Sequence, residues 1–228
     1  IFDGDFLAGF RLTETLALPF IFFSTWYLAR WLFDARRAFV ALLIVGMDYS
    51  LLFTAAMGTP SVLATSLFSF MIVFFLSGRW YAATILSVVM LYTHMGIPPI
   101  ALGTLAVFSL IHRRYLLDFL ALAAISLIAF APWYARLYVF GDWFTHPLEE
   151  GVYGAIPPGW LPVYKFTWLQ FVSFSMVAIV ARAMRGLRWR EQRNQILLIA
   201  IAVCLPMLFS YGGRFYTHSL HFWAILAG

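Results

Sequence analysis

Long apolar runs follow one another along almost the whole chain, and this pattern constrains the fold more than any motif does. The runs cover residues 12–29, 38–56, 60–76, 81–97, 98–111, 115–135, 163–181, 194–210 and 215 onward. Apolar residues within them are continuous and do not alternate with polar ones, which favours helices over strands. Helices also bond their own backbone N–H and C=O groups, as a lipid environment requires. We therefore predict an all-α fold, a polytopic transmembrane helix bundle of about nine helical segments.

The composition argues against an ordinary water-soluble domain. Of the 228 residues, 63% are hydrophobic and 11% are charged, and the mean hydropathy is +0.87. Soluble domains contain about 45–50% apolar and about 25% charged residues. The excess of apolar residues is too large for a core surrounded by water, so we predict a multi-pass protein of a cell membrane, with a prokaryotic plasma membrane as the expected location.

Arginine-rich connections alternate with connections that contain few basic residues. Most of the 15 Lys and Arg residues lie in the first set, at residues 29–37, 77–80, 111–114 and 181–193. The second set comprises residues 1–11, 57–59, 94–99, 136–162 and 211–214. By the positive-inside rule the first set is cytoplasmic, and 136–162 becomes a long external loop. The pI of about 9.6 then reflects this bias and contact with lipid headgroups, and nucleic acid is not an expected partner.

The triplet Tyr-Thr-His occurs twice, both times on the predicted external side. Tyr92–His94 ends the fourth segment just before Gly96 and Pro98-Pro99, which we expect to break the helix and force an extended turn. The second copy, Tyr216–His218, is expected to open the ninth segment. Two interpretations remain open: ordinary anchoring at the membrane surface, or two sides of one polar site.

Arg214 lies on the external side, where positive charge is least expected. Its guanidinium could snorkel to headgroups, or it could bind a phosphate or carboxylate through its rigid fork of donors. His218 and His221 are three residues apart and share a helix face. Without a nearby carboxylate they predict a hydrogen-bonding pair in a wet cavity more than a metal site.

Three acidic residues are weak candidates for a catalytic role. Asp48 follows an apolar stretch, and a carboxylate at membrane depth is costly enough to suggest function. Asp3 and Asp5 form a D-x-D pattern of low specificity. Arg11 and Glu14 have the spacing of an intrahelical ion pair, although Arg11 could also contact a ligand.

Several short motifs resemble those of one family. They follow one another along the chain: first Arg11-Leu12 with "YLARWLFDARRAFVALL", then Tyr92–His94, and later Arg113-Arg114, Ala131–Trp133 and Arg214-Phe215. Together they resemble polyprenyl-phosphate-dependent glycosyltransferases of the GT-C fold, of the dolichyl-phosphate-mannose protein mannosyltransferase and aminoarabinose transferase type. Thr13-Glu14 replaces the Pro-Ser of the family pattern, and Asp48 stands near its expected Pro.

The resemblance implies an inverting hexosyltransferase that moves a sugar from a polyprenyl-phosphate donor to a protein or glycan acceptor on the extracytoplasmic side. Arg214, His218, His94, Arg11 and Tyr92 would bind the substrates. The catalytic acid would lie in a first external loop upstream of Ile1, so residues 1–228 would be a fragment of a single transmembrane domain. No cofactor is implied with certainty, and a divalent metal remains an option.

Two other functions use similar features. A transporter or flippase of lipid-linked sugars commonly has internal repeats and polar residues at the bilayer midplane. The two Tyr-Thr-His copies lack matching flanks, and the polar residues concentrate on one side. A polymerase or ligase of surface polysaccharide would share the external arginine and the long loop.

Overall fold

The computed structural model describes residues 6–48, 60–94, 96–139, 177–185, 187–206 and 212–228, with side chains for all of these except 6–14, 137–138 and 212–217. This described part of the chain is helical with short turns and contains no strand, which confirms the all-α class. Its helices are α1 (Phe6–Leu32), α2 (Ala35–Met47), α3 (Pro60–Leu76), α4 (Trp80–Thr93), α5 (Ile97–Ile111), a 3-10 turn (Arg113–Tyr115), α6 (Leu116–Val139), α7 (177–185), α8 (Gln192–Cys204) and α9 (Gly212–Ala227).

Three helix boundaries differ from the apolar runs. Helix α2 stops at Met47 because the backbone of Asp48 is extended, with φ −83° and ψ 107°. An aspartate is a poor helix former, and its negative charge is unfavourable at a helix C-terminus. Helix α6 continues to Val139, so residues 136–139 of the expected external loop are helical, and residues 140–176 lie outside the described part. Helix α9 begins at Gly212, so His218 lies in its second turn and does not open it.

The sequence predicts a helix break and an extended turn at Gly96 and Pro98-Pro99. The break is present, since α4 ends at Thr93 and the backbone of His94 is extended, but the prolines are not part of it. Both prolines lie in the first turn of α5, which begins at Ile97. The N–H groups of a first helical turn have no acceptor within the helix, so proline loses nothing there, and its fixed φ suits the helix.

Two short turns, one between α1 and α2 and one between α3 and α4, connect neighbouring helices tightly. Between α1 and α2, the Asp34 side chain accepts a hydrogen bond of 2.9 Å from the backbone N–H of Arg37. Between α3 and α4, Gly78 adopts φ +77°, and the N–H of Arg79 donates to the carbonyl of Phe74 at 2.9 Å. This pairing is a Schellman motif, in which a left-handed residue ends the helix. Such short turns place successive helices antiparallel.

Helix α3 lies near the centre of the bundle and packs against α1, α4 and α5. Most of its residues are buried, and Phe68 meets Phe222 of α9 with ring centroids 5.3 Å apart. Helix α9 also packs against α2 and α8, and α8 packs against α5. At this last contact Gly103 allows close approach, since a Cβ at that position would lie 3.3 Å from Cγ1 of Val203.

The arginine-rich turns meet at one end of the bundle. Arg193 Nη1 donates to the carbonyl of Leu32 at 3.4 Å. A second link joins Arg114 Nη2 to Gln192 Oε1 at 2.8 Å, and His112 Nε2 lies 2.7 Å from Gln195 Oε1. These contacts bring the α1–α2, α5–α6 and α7–α8 connections together. We call this the arginine-rich end, and the α4–α5 connection lies at the opposite end.

Within the described residues, the segment Arg113–Arg136 is the one helical stretch that is long and apolar enough to cross a membrane, with a hydropathy of 2.0. Only 17% of the 18-residue apolar stretch in this segment is buried, so its apolar side chains face outward. Leu117, Leu120 and Ile128 are among the exposed ones. Four shorter apolar helices accompany it: Pro60–Leu76, Trp80–Thr93, Ile97–Ile111 and Gln192–Cys204.

Candidate functional site

His94 connects α4 to α5 through its ring. It ends α4, and its Nδ1 accepts hydrogen bonds from the backbone N–H groups of Gly96 at 3.1 Å and Ile97 at 3.2 Å. The ring thus caps donors that the first turn of α5 would otherwise leave unsatisfied. A nitrogen that accepts hydrogen bonds has no proton of its own, so the neutral His94 ring has its proton on Nε2.

The ring of His218 is held in place by Thr65 of α3. Thr65 Oγ1 lies 2.8 Å from the carbonyl oxygen of Ser61 and 3.1 Å from Nδ1 of His218. The hydroxyl has one hydrogen, which can go to either of these two atoms. When Ser61 accepts it, Nδ1 of His218 is the donor in the second bond; when His218 accepts it, the His218 ring has its proton on Nε2.

The rings of His94 and His218 lie close to each other. Their centroids are 6.4 Å apart, and His218 is almost completely buried while His94 is half-buried. His94 has an N–H donor at Nε2, whereas the His218 ring offers a donor or an acceptor there, depending on its tautomer. A hydroxyl group can form hydrogen bonds with groups of either kind.

The cluster lies at the end opposite the arginine-rich turns. A Cβ on Gly228 would lie 2.7 Å from the carbonyl of Arg37, so the end of α9 meets the start of α2 and the two helices are antiparallel. At 1.5 Å per residue, both Asp48 and His218 are about 15 Å from that meeting point. Asp48, which is 9% exposed, therefore stands at the same level of the bundle as His218.

Arg214 and Arg11, which are predicted to bind substrates, lie at the same end of the bundle as His218. Their positions along α9 and α1 show this. Arg214 is one helical turn before His218 on α9. Arg11 precedes Leu32, the last residue of α1, by roughly 30 Å of helix, which places it far from the arginine-rich end. The side chains of both residues lie outside the described part of the chain, as do Asp3 and Asp5 entirely.

Tyr92 does not join the histidines. Its hydroxyl donates to the carbonyl of Ala129 on α6 at 2.8 Å, and its ring contacts Phe130 and Trp133 with centroids 5.5 and 6.4 Å away. Helix α4 ends at Thr93 and the backbone of His94 is extended, with φ −156° and ψ 127°, so Tyr92 and His94 do not lie on one helix face. The structure places Tyr92 at the contact between α4 and α6 and leaves it largely exposed there.

His221 is fully buried one turn below His218. Neither of its ring nitrogens has a hydrogen-bond partner within the described residues, and the same holds for Ser219 Oγ and Trp223 Nε1 on the same helix. Buried polar atoms normally have a protein or water partner. Helix α9 therefore offers several polar groups that water or a ligand could satisfy. Across the described ranges, no group of three or more His, Cys, Asp or Glu side chains is placed to hold a metal ion.

Thr65 is the member of the cluster that the sequence analysis missed. A signal for it exists in hindsight: Ser61, Thr65 and Ser69 recur every four residues on a helix that is otherwise strongly apolar. This spacing forms a polar stripe along one face. A stripe of that kind on a buried helix indicates which face meets other polar groups.

No protein-family model, curated protein or solved structure matches this chain. The resemblance to GT-C glycosyltransferases therefore remains a prediction. Any function has to be argued from the arrangement of the residues themselves.

Proposed function

We propose that this chain belongs to a polytopic membrane glycosyltransferase that moves a sugar from a polyprenyl-phosphate donor to a hydroxyl acceptor on the extracytoplasmic side. One observation carries the proposal. Thr65, His94 and His218 converge at the bundle end opposite the arginine-rich turns, and Arg214 is one helical turn away on α9.

The distribution of polarity supports a bundle that spans the membrane several times. Large apolar side chains such as Phe39, Ile85 and Ile128 are more than half exposed. Hydroxyl side chains such as Ser66 and Ser87 are fully buried. Exposed apolar area costs about 25 cal/mol per Å² in water, and this cost disappears in lipid. The arginine-rich end is then cytoplasmic by the positive-inside rule.

The donor phosphate is assigned to Arg214, with Arg11 as a second cation. A guanidinium presents parallel N–H donors that match two phosphate oxygens. When the bond between the anomeric carbon and the phosphate oxygen breaks, negative charge develops on the leaving polyprenyl phosphate. Fixed positive charge at that point stabilises the transition state more than the ground state.

The histidine pair is assigned to a hydroxyl of the sugar or of the acceptor. A hydroxyl that contacts both rings would accept a hydrogen bond from Nε2–H of His94 and would donate to His218 when the His218 ring presents an unprotonated nitrogen. In the transfer step the acceptor oxygen attacks the anomeric carbon while polyprenyl phosphate departs, and the acceptor proton passes to a general base. A carboxylate is the expected base, and Asp48 is the described carboxylate at the level of His218.

The test is turnover of a polyprenyl-phosphate hexose labelled in both sugar and lipid, with the full-length protein in vesicles. We expect sugar transfer and release of free polyprenyl phosphate. Arg214→Ala should reduce release to background. Arg136→Ala, which removes an exposed arginine near the end of α6, is the matched control and should retain wild-type turnover.

Two results would overturn the assignment. Wild-type turnover in Arg214→Ala would remove Arg214 from the site. Movement of the doubly labelled donor across the bilayer without cleavage would indicate transport instead of transfer.

A further inference from the structure

Phe33, in the turn between α1 and α2, contacts two arginines that are far apart in the sequence. The guanidinium carbon of Arg37 is 4.6 Å from the centroid of the Phe33 ring, and that of Arg193 is 5.2 Å from it. Both distances are within the range of cation–π contacts, so the two guanidinium carbons are within about 10 Å of each other. Two cations from different helices are thus held around one ring at the arginine-rich end.

Negative charge near this pair is scarce. Arg193 Nε donates to Glu191 Oε2 at 2.8 Å, and the other carboxylate oxygen of Glu191 is 3.1 Å from Arg188 Nη1. No carboxylate of the described residues forms an ion pair with the guanidinium of Arg37. The nearby Asp34 carboxylate accepts from the Arg37 backbone N–H as the cap of α2. Glu191 therefore forms ion pairs with both Arg188 and Arg193, whereas the guanidinium of Arg37 forms none within the described residues.

The donors of both arginines are only partly used within the described part of the chain. Arg193 donates through Nε and Nη1, the latter to the carbonyl of Leu32 at 3.4 Å, and its Nη2 makes no further bond there. The Arg193 side chain is 46% exposed. Guanidinium groups in such surroundings bind phosphate oxygens with paired N–H donors. A bound anion would also reduce the repulsion between like charges held close together.

We propose that Arg37 and Arg193 clamp a phosphate group at the ring of Phe33. The ligand is a phosphate monoester or diester, supplied by the headgroup of an anionic phospholipid or by a soluble phosphate. The clamp joins the α1–α2 turn to the start of α8, where Arg193 already bonds to Leu32. It lies at the opposite end of the bundle from the histidine cluster, and it does not depend on the proposed transfer reaction.

The experiment uses the full-length protein purified in a phosphate-free maltoside detergent. The midpoint of thermal unfolding is measured with added short-chain phosphatidic acid, with diacylglycerol of the same chain length, and with inorganic phosphate. We expect phosphatidic acid to raise the midpoint and diacylglycerol to leave it unchanged. In Arg37→Gln the apparent affinity for phosphatidic acid should fall about tenfold, a difference of about 1.4 kcal/mol.

Arg79→Gln is the matched control, because Arg79 is an exposed arginine of the α3–α4 turn and its side chain forms no ion pair within the described residues. It should retain wild-type affinity. Phe33→Leu keeps both charges but removes the ring that holds them, and it should also weaken binding. The shift caused by the ligand, measured against each variant's own midpoint, separates binding from any loss of stability.

Comparison of the added ligands identifies the source of the phosphate. A shift with both phosphatidic acid and inorganic phosphate assigns the site to the phosphate group alone, whereas a shift with phosphatidic acid only assigns it to a lipid headgroup. No shift with either ligand, or equal losses in Arg37→Gln and Arg79→Gln, would overturn the clamp.

Discussion

Thr65 Oγ1 and His218 Nδ1 are 3.1 Å apart and form a hydrogen bond across 153 residues of sequence. The bond joins α3 to α9 and holds the His218 ring in place. One threonine thereby links the packing of the bundle to the chemistry of the candidate site.

Replacing Thr65 with valine removes the hydroxyl while keeping the shape of the side chain. Because the buried Nδ1 of His218 loses its hydrogen bond to Thr65, we expect the free energy of unfolding to fall by about 1–3 kcal/mol. Unfolding in mixed detergent micelles measures the change. Thr65→Ser retains the hydroxyl and should lose much less, so equal losses in the two variants would contradict the role of this bond.

Gly96→Ala tests the position of the His94 ring. The new Cβ would lie 3.0 Å from Cε1 of His94, so the ring must move by a few tenths of an ångström and the cap of α5 weakens. We expect donor turnover to fall more than stability does. Gly46→Ala is the control, since its Cβ would meet only Phe22 at 3.8 Å. If both variants kept wild-type turnover, the position of His94 would not matter for the reaction.

Gly103→Ala tests the close contact between α5 and α8. The added Cβ would lie 3.3 Å from Cγ1 of Val203, so Val203 or its helix must shift by a few tenths of an ångström. We expect overpacking to cost about 1–3 kcal/mol, offset in part by the better helix propensity of alanine, about 1 kcal/mol. The double variant Gly103→Ala with Val203→Ala removes the crowding atom and should lose less than the sum of the single changes. The free energies of unfolding are measured by chemical denaturation. If the effects of the two single changes simply added up, the contact between Gly103 and Val203 would not be tight.

Gly78→Ala tests the turn between α3 and α4. A Cβ at this position has open space, so the cost comes from the left-handed backbone alone, at about 1–2 kcal/mol. Gly78→Asn should cost less because asparagine adopts this conformation more readily. Thermal unfolding of the three proteins checks the order, which would be wrong if alanine were tolerated as well as asparagine.

Glu191 predicts a pH dependence at the arginine-rich end. A hydrogen bond from Arg193 holds the pKa of the Glu191 carboxyl below its ordinary value of 4.5. A carboxyl with a lowered folded-state pKa stabilises the fold above its unfolded pKa, and this contribution is lost as the pH falls through the folded-state pKa. The stability of wild type and Glu191→Gln should therefore converge in acid. A constant difference between their melting midpoints down to low pH would contradict this.

The helical class could be predicted from the sequence because continuous apolar runs leave few alternatives in lipid. Helix ends were harder to place. Pro98-Pro99 was expected to break a helix, yet the first turn of α5 accommodates both prolines, and the ring of His94 accepts the N–H of Ile97 beside them. Whether proline ends or begins a helix depends on such a cap, which requires knowledge of side-chain orientation.

The candidate site could be predicted only in part. The two Tyr-Thr-His copies left membrane-surface anchoring and one shared polar site as alternatives, and the distance of 6.4 Å between ring centroids shows that His94 and His218 lie near each other. The repeat carried no information about the tyrosine of the first copy, because Tyr92 points to α6. Thr65 was missed because the stripe of Ser61, Thr65 and Ser69 indicates only which face of α3 meets polar groups, whereas the partner His218 depends on the packing of α3 against α9.

Cross-linking with a polyprenyl phosphate that carries a photoreactive group beside the phosphate tests the central claim most directly. The full-length protein is irradiated in vesicles, and the labelled peptides are identified by mass spectrometry. Labels on the α4–α5 connection around His94 and on the part of α9 that contains His218 are the predicted result. Labels confined to the outward face of α6 or to the arginine-rich end would show that the histidine cluster does not bind the donor.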